Sequence, residues 1–131
     1  MQGVDLSCWK LALNGAEPVN IDTLERFSRT FAPYGFAPGT LYPGYGLAEA
    51  TLQVSGGVRG RGWTTRDISR AALLHGDLTE PIGSADRLTL VSCGHSVIGS
   101  EIAIVDPDQR CRVAPRDMSR LRTDGLRRND A

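Results

Sequence analysis

The chain has 131 residues, 40% hydrophobic and 23% charged, which is enough for one globular domain and too apolar for a disordered chain. Its 15 basic and 15 acidic residues cancel, so no general field attracts nucleic acid or an anionic membrane. The 3 cysteines lack a CxxC pair, which argues against a disulfide framework and against a cysteine zinc site.

The two ends of the chain give no sign of a membrane or a nucleic-acid partner. The N-terminus lacks a basic-then-apolar leader, and no apolar run reaches the roughly 20 residues that span a bilayer. From Arg110 to Ala131 there are 7 arginines and 3 aspartates, but no aromatic residues are interleaved with them. We therefore expect a cytoplasmic protein with no membrane span and no nucleic-acid partner.

The first predicted element is a strand. The mainly apolar run from Leu6 to Leu13 is typical of a strand in a largely buried sheet, and Asn14-Gly15 ends it.

A helix is predicted next, with Asn20 as its N-cap and an end near Ala32, because Pro33 follows and Gly35 permits a turn. Its large apolar residues recur on one face, as in an amphipathic helix: Ile21, Leu24, Phe27 and Phe31.

A second short strand from Thr40 to Tyr42 follows, and then a glycine-rich turn that carries Tyr45. Strand, helix and strand in this order predict a βαβ unit with a parallel pair. The carboxyl ends of both strands then lie at one sheet edge, where open α/β sheets hold ligands. The segment Gly15-Ala16-Glu17 is therefore expected to lie close to Tyr45-Gly46.

Downstream the sequence predicts a mobile loop from Ser55 to Thr65 and a short helix from Asp67 to His75 with Asp67 as its cap. Two further strands are predicted, from Leu88 to Cys93 and from Glu101 to Val105, and Asp106-Pro107-Asp108 marks a turn. Residues 1–113 are taken as one partial domain, and residues 114–131 as a disordered, unrelated tail.

Three segments carry a resemblance to a known family. They are the strand and turn Leu11–Val19 (LALNGAEPV), the aromatic-Gly-x-x-Glu segment Tyr42–Leu52, and Leu90–Gly94 with the following Ile102–Pro107. Over about residues 5–113 the chain resembles the adenylate-forming enzymes, and in particular the fatty acyl-AMP ligases. The AEATL segment at residues 48–52 and the long stretch between Gly56 and Leu88 are more similar to fatty acyl-AMP ligases than to acyl-CoA ligases.

This resemblance implies an α/β fold, namely part of the adenylate-forming large domain. That part would hold the βαβ unit in a mixed sheet and the start of a β-barrel-like subdomain. The family reaction activates a fatty acid with ATP to an acyl-adenylate and pyrophosphate. An acyl carrier protein or a polyketide synthase is the implied acceptor of the acyl group.

The resemblance also implies roles for individual residues. Gly15, Ala16 and Glu17 would line the adenine site, and Tyr45 would stack on the base with Gly46 beside it.

Glu49 is the implied catalytic residue, because it would help to hold Mg²⁺ against the ATP phosphates. Gly46 and Leu47 could shape the neighbouring acyl pocket.

Other parts of the family pattern are missing from these 131 residues. There is no Gly-rich phosphate loop ending in Lys and no C-terminal catalytic lysine. Gly76-Asp77 precedes the later strands, which is the wrong place for the ribose-binding Gly-Asp pair. We therefore expect a truncated piece of a ligase that is inactive alone. The alternatives are a self-associating, non-catalytic interaction module and one piece of a split ligase completed by a partner chain.

Structural roles compete with several of these assignments. Tyr45 could be a packed turn aromatic, Glu49 could stabilise a helix dipole, and Glu17 could be a solvated residue before a helix. Ser92-Cys93-Gly94-His95 invites a Cys/His nucleophile interpretation, but no acid is placed to orient the histidine, and a structural role is preferred.

Overall fold

The computed structural model describes residues 3–50, 52–106 and 108–112, and these fall into two units. The first unit contains residues 3–66 and 90–99, and the second contains residues 67–89 and 100–112. The predicted tail, residues 114–131, lies outside the described residues, so its disorder stays a prediction.

Helix α1, Ile21–Phe31, forms where its apolar spacing predicts it. The side chain of Asn20 caps it by accepting a hydrogen bond from the Thr23 N–H at 3.1 Å. A 3₁₀ turn, Ala32–Tyr34, ends the helix, and Gly35 follows in the left-handed conformation with φ 83°. The predicted cap and the predicted end of this helix are both confirmed.

Strands account for most of the remaining regular structure in the described ranges: β1 Ala12–Asn14, β2 Leu41–Leu47, β3 Leu52–Gly56, β4 Thr65–Ser69, β5 Arg87–Val91 and β6 His95–Ser96. The first unit has a mixed sheet in the order β1-β2-β3-β6. Strands β1 and β2 are parallel, with Ala12 opposite Leu41 and Asn14 opposite Pro43. Strand β3 then pairs antiparallel with β2 and with β6. The α/β class, the mixed sheet and the parallel pair around α1 are thus confirmed.

The core of the first unit lies between α1 and this sheet. Leu24 is only 2% exposed and clusters with Ala12, Phe36 and Leu41. An aromatic group extends this cluster, since the ring centroid of Phe36 lies 5.2 Å from that of Phe27 in an edge-to-face arrangement. The carboxyl ends of β1 and β2 are therefore held against a packed helix.

The second unit is organised around the pairing of β4 with β5. Ile68, at 2% exposure, is the buried hydrophobic residue in the described part of this unit. A short helix α2, Arg70–Leu74, begins at Ser69, whose hydroxyl accepts from the Ala72 N–H at 3.0 Å. The carboxylate of Asp86 accepts from the Ala71 N–H at 3.0 Å. Side chains therefore satisfy two free N–H groups at the start of α2.

The first predicted strand is mostly wrong, because β1 begins only at Ala12. Before it, the carboxylate of Asp5 accepts from the Ser7 N–H at 2.9 Å, and the Trp9 N–H donates to the Leu6 carbonyl at 3.0 Å. Such side-chain and backbone turns compete with an extended strand.

Two predicted boundaries around the β2–β3 hairpin are also wrong. Tyr45 lies within β2 rather than in a turn, and Ser55-Gly56 belongs to β3, so the predicted loop begins at Gly57. Ser55 is buried and opposes Tyr45, and this ladder explains why the strands extend through a glycine-rich sequence.

The predicted helix from Asp67 to His75 is shorter, and its predicted cap is wrong. Asp67 lies in β4, where its carboxylate accepts from the Thr89 hydroxyl at 2.6 Å and pairs with Arg87 at 3.4 Å. Ser69 caps the helix in its place.

The strand predicted from Glu101 to Val105 is wrong as well. Within the described residues, Val105 forms only an isolated antiparallel bridge with Arg112, without a ladder on either side. The Arg112 guanidinium also pairs with the Glu101 carboxylate at 2.5 Å, so both contacts join this segment to Arg112. The start of a barrel-like subdomain stays a prediction. Among the described residues, no helix has both the length and the apolar character needed to cross a bilayer.

The contacts of Asp86 predict a pH-dependent helix start. Its hydrogen bonds, first of all the one from the Ala71 N–H, lower the pKa of Asp86 below its ordinary value of 3.8. This contribution to stability is present above the ordinary pKa and is lost as the pH falls through the lower folded pKa. We expect exchange of the Ala71 and Ile82 amide protons to accelerate as the pH falls below about 4, after correction for intrinsic exchange.

Asp86→Asn should bring faster exchange of these two amides at neutral pH and remove the acid step, as measured by NMR. The control is Asp77→Asn, which makes the same chemical change at an exposed aspartate just beyond α2. Unchanged exchange in Asp86→Asn would show that the Asp86 carboxylate does not stabilise the start of α2.

Candidate functional site

The turn after β1 lies directly against the segment that leads to Tyr45. Asn14 opposes Pro43 in the parallel register. The residues that follow them, Gly15 just after β1 and Gly44 within β2, therefore lie side by side. A Cβ atom on Gly15 would stand 2.6 Å from the Gly44 carbonyl oxygen, closer than real Cβ contacts allow. Gly15 thus lies against the residue that precedes Tyr45, and only a glycine at position 15 permits this approach.

Ala16 continues the turn in a strained conformation. Its φ is 72°, in the left-handed region that non-glycine residues seldom occupy. Such strain costs about 1 kcal/mol or more and is common where backbone is shaped around a ligand. Ala16 and Glu17 are both exposed, so this turn presents its backbone and one carboxylate to solvent.

Tyr45 is presented at the same edge. It lies on β2 opposite Ser55 and is 48% exposed, although its neighbours Pro43 and Gly44 are buried. The register shifts between Tyr45 and Gly46, which is a β-bulge of the kind that redirects side chains at functional edges. An exposed aromatic ring on a fixed strand suits the stacking of a planar ligand.

Gly46 follows the bulge in the most crowded backbone of the hairpin. A Cβ atom there would overlap the Leu52 carbonyl oxygen and lie 3.3 Å from Gln53 Cα. Leu52 itself has φ 82°, so the return of the chain into β3 is strained. Because Gly46 and Leu52 meet this closely, the connection between them is held beside Tyr45.

Glu49 lies in that connection, in a 3₁₀ turn, Ala48–Ala50. Its side chain is exposed and supplies hard carboxylate oxygens, which Mg²⁺ prefers. No group of three or more His, Cys, Asp or Glu residues that could hold a metal occurs within the described ranges. Within the described residues, Glu49 thus offers one exposed carboxylate and does not belong to a complete metal-binding cluster.

Sequence reasoning gave no role to the side chains that brace this hairpin. The Tyr42 hydroxyl accepts from the Gln53 amide nitrogen at 3.4 Å, and its ring covers Gly56, where a Cβ atom would overlap it. The alternation along β2 places Tyr42 and Gly44 on one face. The alternation along the strand could have indicated the face on which Tyr42 lies. Its contact with Gly56 could not be predicted, because it depends on the register between β2 and β3.

The surroundings of Cys93 and His95 favour the structural interpretation over a nucleophilic one. Burial raises the pKa of the Cys93 thiol, which disfavours the reactive thiolate. His95 lies in β6 opposite Gly56, and the Ser92 hydroxyl accepts from the Gly94 N–H at 3.1 Å in a local turn. This segment has a structural role at the end of the sheet.

An apolar groove of about 270 Å³ lies elsewhere on the first unit, between α1 and β1. Trp9, Leu13, Leu24 and Phe27 are among its lining residues, and none of the predicted site residues lines it. Leu13 is 63% exposed at its edge. The groove is therefore distinct from the edge that carries Gly15 and Tyr45.

Comparison with known proteins relates the chain to acyl-activating ligases. No family model matches it. The medium-chain-fatty-acid–[acyl-carrier-protein] ligase of Teredinibacter turnerae is 39% identical over 111 residues, which are 85% of this chain and 17% of that ligase. The ligase of the same description from Moorena producens is 43% identical over 109 residues, 79% of this chain and 18% of that ligase.

Solved structures give the same result. The fatty acid AMP ligase of Legionella pneumophila matches with a TM-score of 0.74 and 40% identity, over 82% of this chain and 18% of that chain. The present chain thus spans less than a fifth of the length of these relatives.

Substitution of Gly46 tests the hairpin geometry. Gly46→Ala places a methyl group in the Leu52 carbonyl, so we expect a loss of at least about 2 kcal/mol in unfolding free energy and a changed hairpin. Urea unfolding followed by circular dichroism measures the loss.

The control is Gly57→Ala, because a Cβ atom there meets its neighbours at an ordinary 3.7 Å. Its stability should change by less than about 1 kcal/mol. Equal effects of the two substitutions would contradict the close approach of Gly46 to Leu52.

Proposed function

We propose a nucleotide-facing role for this chain, which is homologous to one part of the fatty acyl-AMP ligases. In this role it supplies the adenine-binding turn, the base platform and one Mg²⁺ ligand of an acyl-adenylating site. The complete ligase activates a fatty acid with ATP, releasing pyrophosphate, in the cytoplasm.

One observation carries the proposal. The Gly15 turn lies against Gly44, the residue before Tyr45, at the carboxyl end of the stretch over which β1 and β2 pair in parallel, and α/β sheets bind ligands beyond such ends. The contact joins two segments that are about thirty residues apart in the sequence, so it is more than a local turn around Tyr45. Its coincidence with identity to ligases over most of the chain favours a nucleotide site over a packed aromatic.

The division of roles follows from what each group can do. The exposed backbone at Gly15, Ala16 and Glu17 offers hydrogen-bonding groups to the edge of the adenine ring. The Tyr45 ring stacks on the face of that ring, and stacking of this kind contributes about 1–3 kcal/mol. Gly46 has no side chain, so a nucleotide stacked on Tyr45 can approach the neighbouring backbone closely.

Glu49 acts through a cation. Its carboxylate would hold Mg²⁺, and the cation would supply positive charge to the ATP phosphates. Glu49 lies a few residues beyond the base platform on the same hairpin, which suits a ligand whose base and phosphates need separate contacts. The carboxylate itself need only bind and orient.

The acyl acceptor in the complete ligase is proposed to be a carrier protein, either free or within a polyketide synthase. This rests on the two ligases of Teredinibacter turnerae and Moorena producens, whose names specify an acyl-carrier-protein acceptor. Because the chain spans less than a fifth of their length, we expect no acyl-adenylate formation by these 131 residues alone.

A segment exchange tests the proposal. The part of the Legionella pneumophila ligase that aligns with this chain is replaced by the corresponding residues of this chain, and fatty-acid-dependent pyrophosphate release is measured. We expect the chimera to keep activity, and Glu49→Gln within it to lose at least about 100-fold in kcat, because a metal ligand is removed.

The control is Glu17→Gln in the same chimera, which also removes one exposed carboxylate, but from the turn that would offer backbone to the base. It should cost less than about tenfold. A folded chimera that is inactive, or one in which the two substitutions have equal effects, would refute the assigned role of Glu49.

A further inference from the structure

Two arginines occupy a tight turn between β3 and β4. The Arg61 N–H donates to the Val58 carbonyl at 3.1 Å, which places Arg59 and Gly60 at the centre of the turn. Gly60 has φ 81°, as the third position of a type II turn requires. We call residues 57–63 the arginine turn.

Backbone packing fixes the arginine turn to the rest of the first unit. A Cβ atom on Gly39 would lie 2.6 Å from the Gly60 carbonyl oxygen, and one on Gly62 would lie 3.1 Å from the Pro38 carbonyl oxygen. Trp63, at the end of the turn, packs against the hydrophobic core. The turn is thus anchored on both sides, and its arginines are presented from a defined backbone.

The charges of this turn are not neutralised nearby. Arg59 and Arg61 are exposed, and the ion pairs of the described residues involve other arginines, namely Arg29, Arg87 and Arg112. The sequence from Ala50 to Arg66 contains three arginines and no acidic residue, in a chain whose net charge is zero. Arg59 and Arg61 are therefore two exposed positive charges close together on a protein whose net charge is zero.

We propose that the arginine turn is a docking site for an acidic protein surface, namely a surface of the carrier protein that accepts the acyl group. This rests on the proposed function, because it assigns a place to the proposed acceptor. Arginine is enriched at protein interfaces, where its guanidinium pairs with carboxylates in two-pronged geometry. Val58, 48% exposed beside Arg59, adds an apolar contact.

Other anionic partners fit this surface less well. Nucleic-acid sites interleave basic residues with exposed aromatic rings, whereas the aromatic residue here, Trp63, packs inward. An anionic membrane attracts each basic residue by about 1 kcal/mol whatever its spacing, whereas carboxylates on a protein surface can match the fixed spacing of two guanidinium groups. A small rigid turn with two arginines matches a small protein face instead.

The test uses the whole 131-residue chain and a purified bacterial acyl carrier protein in its apo form. Calorimetry or NMR titration at about 50 mM salt should give binding that weakens as the salt concentration rises. Arg59→Gln with Arg61→Gln should weaken it about 5- to 10-fold, and Arg59→Glu with Arg61→Glu should weaken it further.

The control pair, Arg26→Gln with Arg29→Gln, removes two exposed arginines from α1 and should leave carrier binding within about twofold. Circular dichroism of every variant shows that it is folded. Absence of carrier binding by the folded chain, or equal weakening by both pairs, overturns the proposal. So does tighter binding of a 20-nucleotide RNA or of anionic vesicles that is lost in the Arg59 and Arg61 variants.

This outcome is separable from that of the proposed function. An active chimera together with a chain that binds no carrier protein would overturn the docking site alone. An inactive folded chimera would overturn the adenylating role, whatever the carrier titration shows.

Discussion

The contact between Gly15 and the Gly44 carbonyl is the constraint on which the candidate site depends. Parallel pairing of β1 with β2 sets the register, and α1 packs against the pair through Leu24, so the two carboxyl ends are held at one edge. A side chain at position 15 would push the turn away from β2. Pro43 and Gly44, which precede Tyr45 on β2, are buried, whereas Tyr45 itself is exposed.

Glycines and a few bracing side chains shape the hairpin that follows. Gly46 lets the chain return past Leu52, and Gly56 leaves room for the Tyr42 ring. Because these positions have no side chain, the backbone can lie close to Tyr45, as a nucleotide site would require. The hairpin in turn lacks the packing that side chains at these positions would supply. In return, the Tyr42 hydroxyl and the Gln53 amide join the two strands on that face. The connection that carries Glu49 is short, and its two ends are held together where Gly46 packs against Leu52.

Local chemistry explains which elements could be predicted from the sequence. Helix α1 was predictable because Asn20, its apolar period and Gly35 act over a few residues. The nearness of Gly15 and Tyr45 followed from topology, since a βαβ unit has few alternatives. The early strand failed because the turns around Asp5 and Trp9 compete with it, and the Asp67 cap failed because Thr89 and Arg87, distant in sequence, engage that carboxylate. The bulge after Tyr45 depends on the register with β3, which no local pattern reveals.

The most direct test of a single nucleotide site at this edge is an NMR titration of the isotopically labelled chain with AMP. Base stacking with few other contacts suggests a dissociation constant of about 1–10 mM. We expect the amide resonances of Gly15 and Ala16 to shift together with those of Tyr45 and Gly46, along one saturation curve, while those of α2 stay fixed. Shifts confined to one of the two segments, or no shifts in the folded chain at about 20 mM AMP, would contradict a shared nucleotide site.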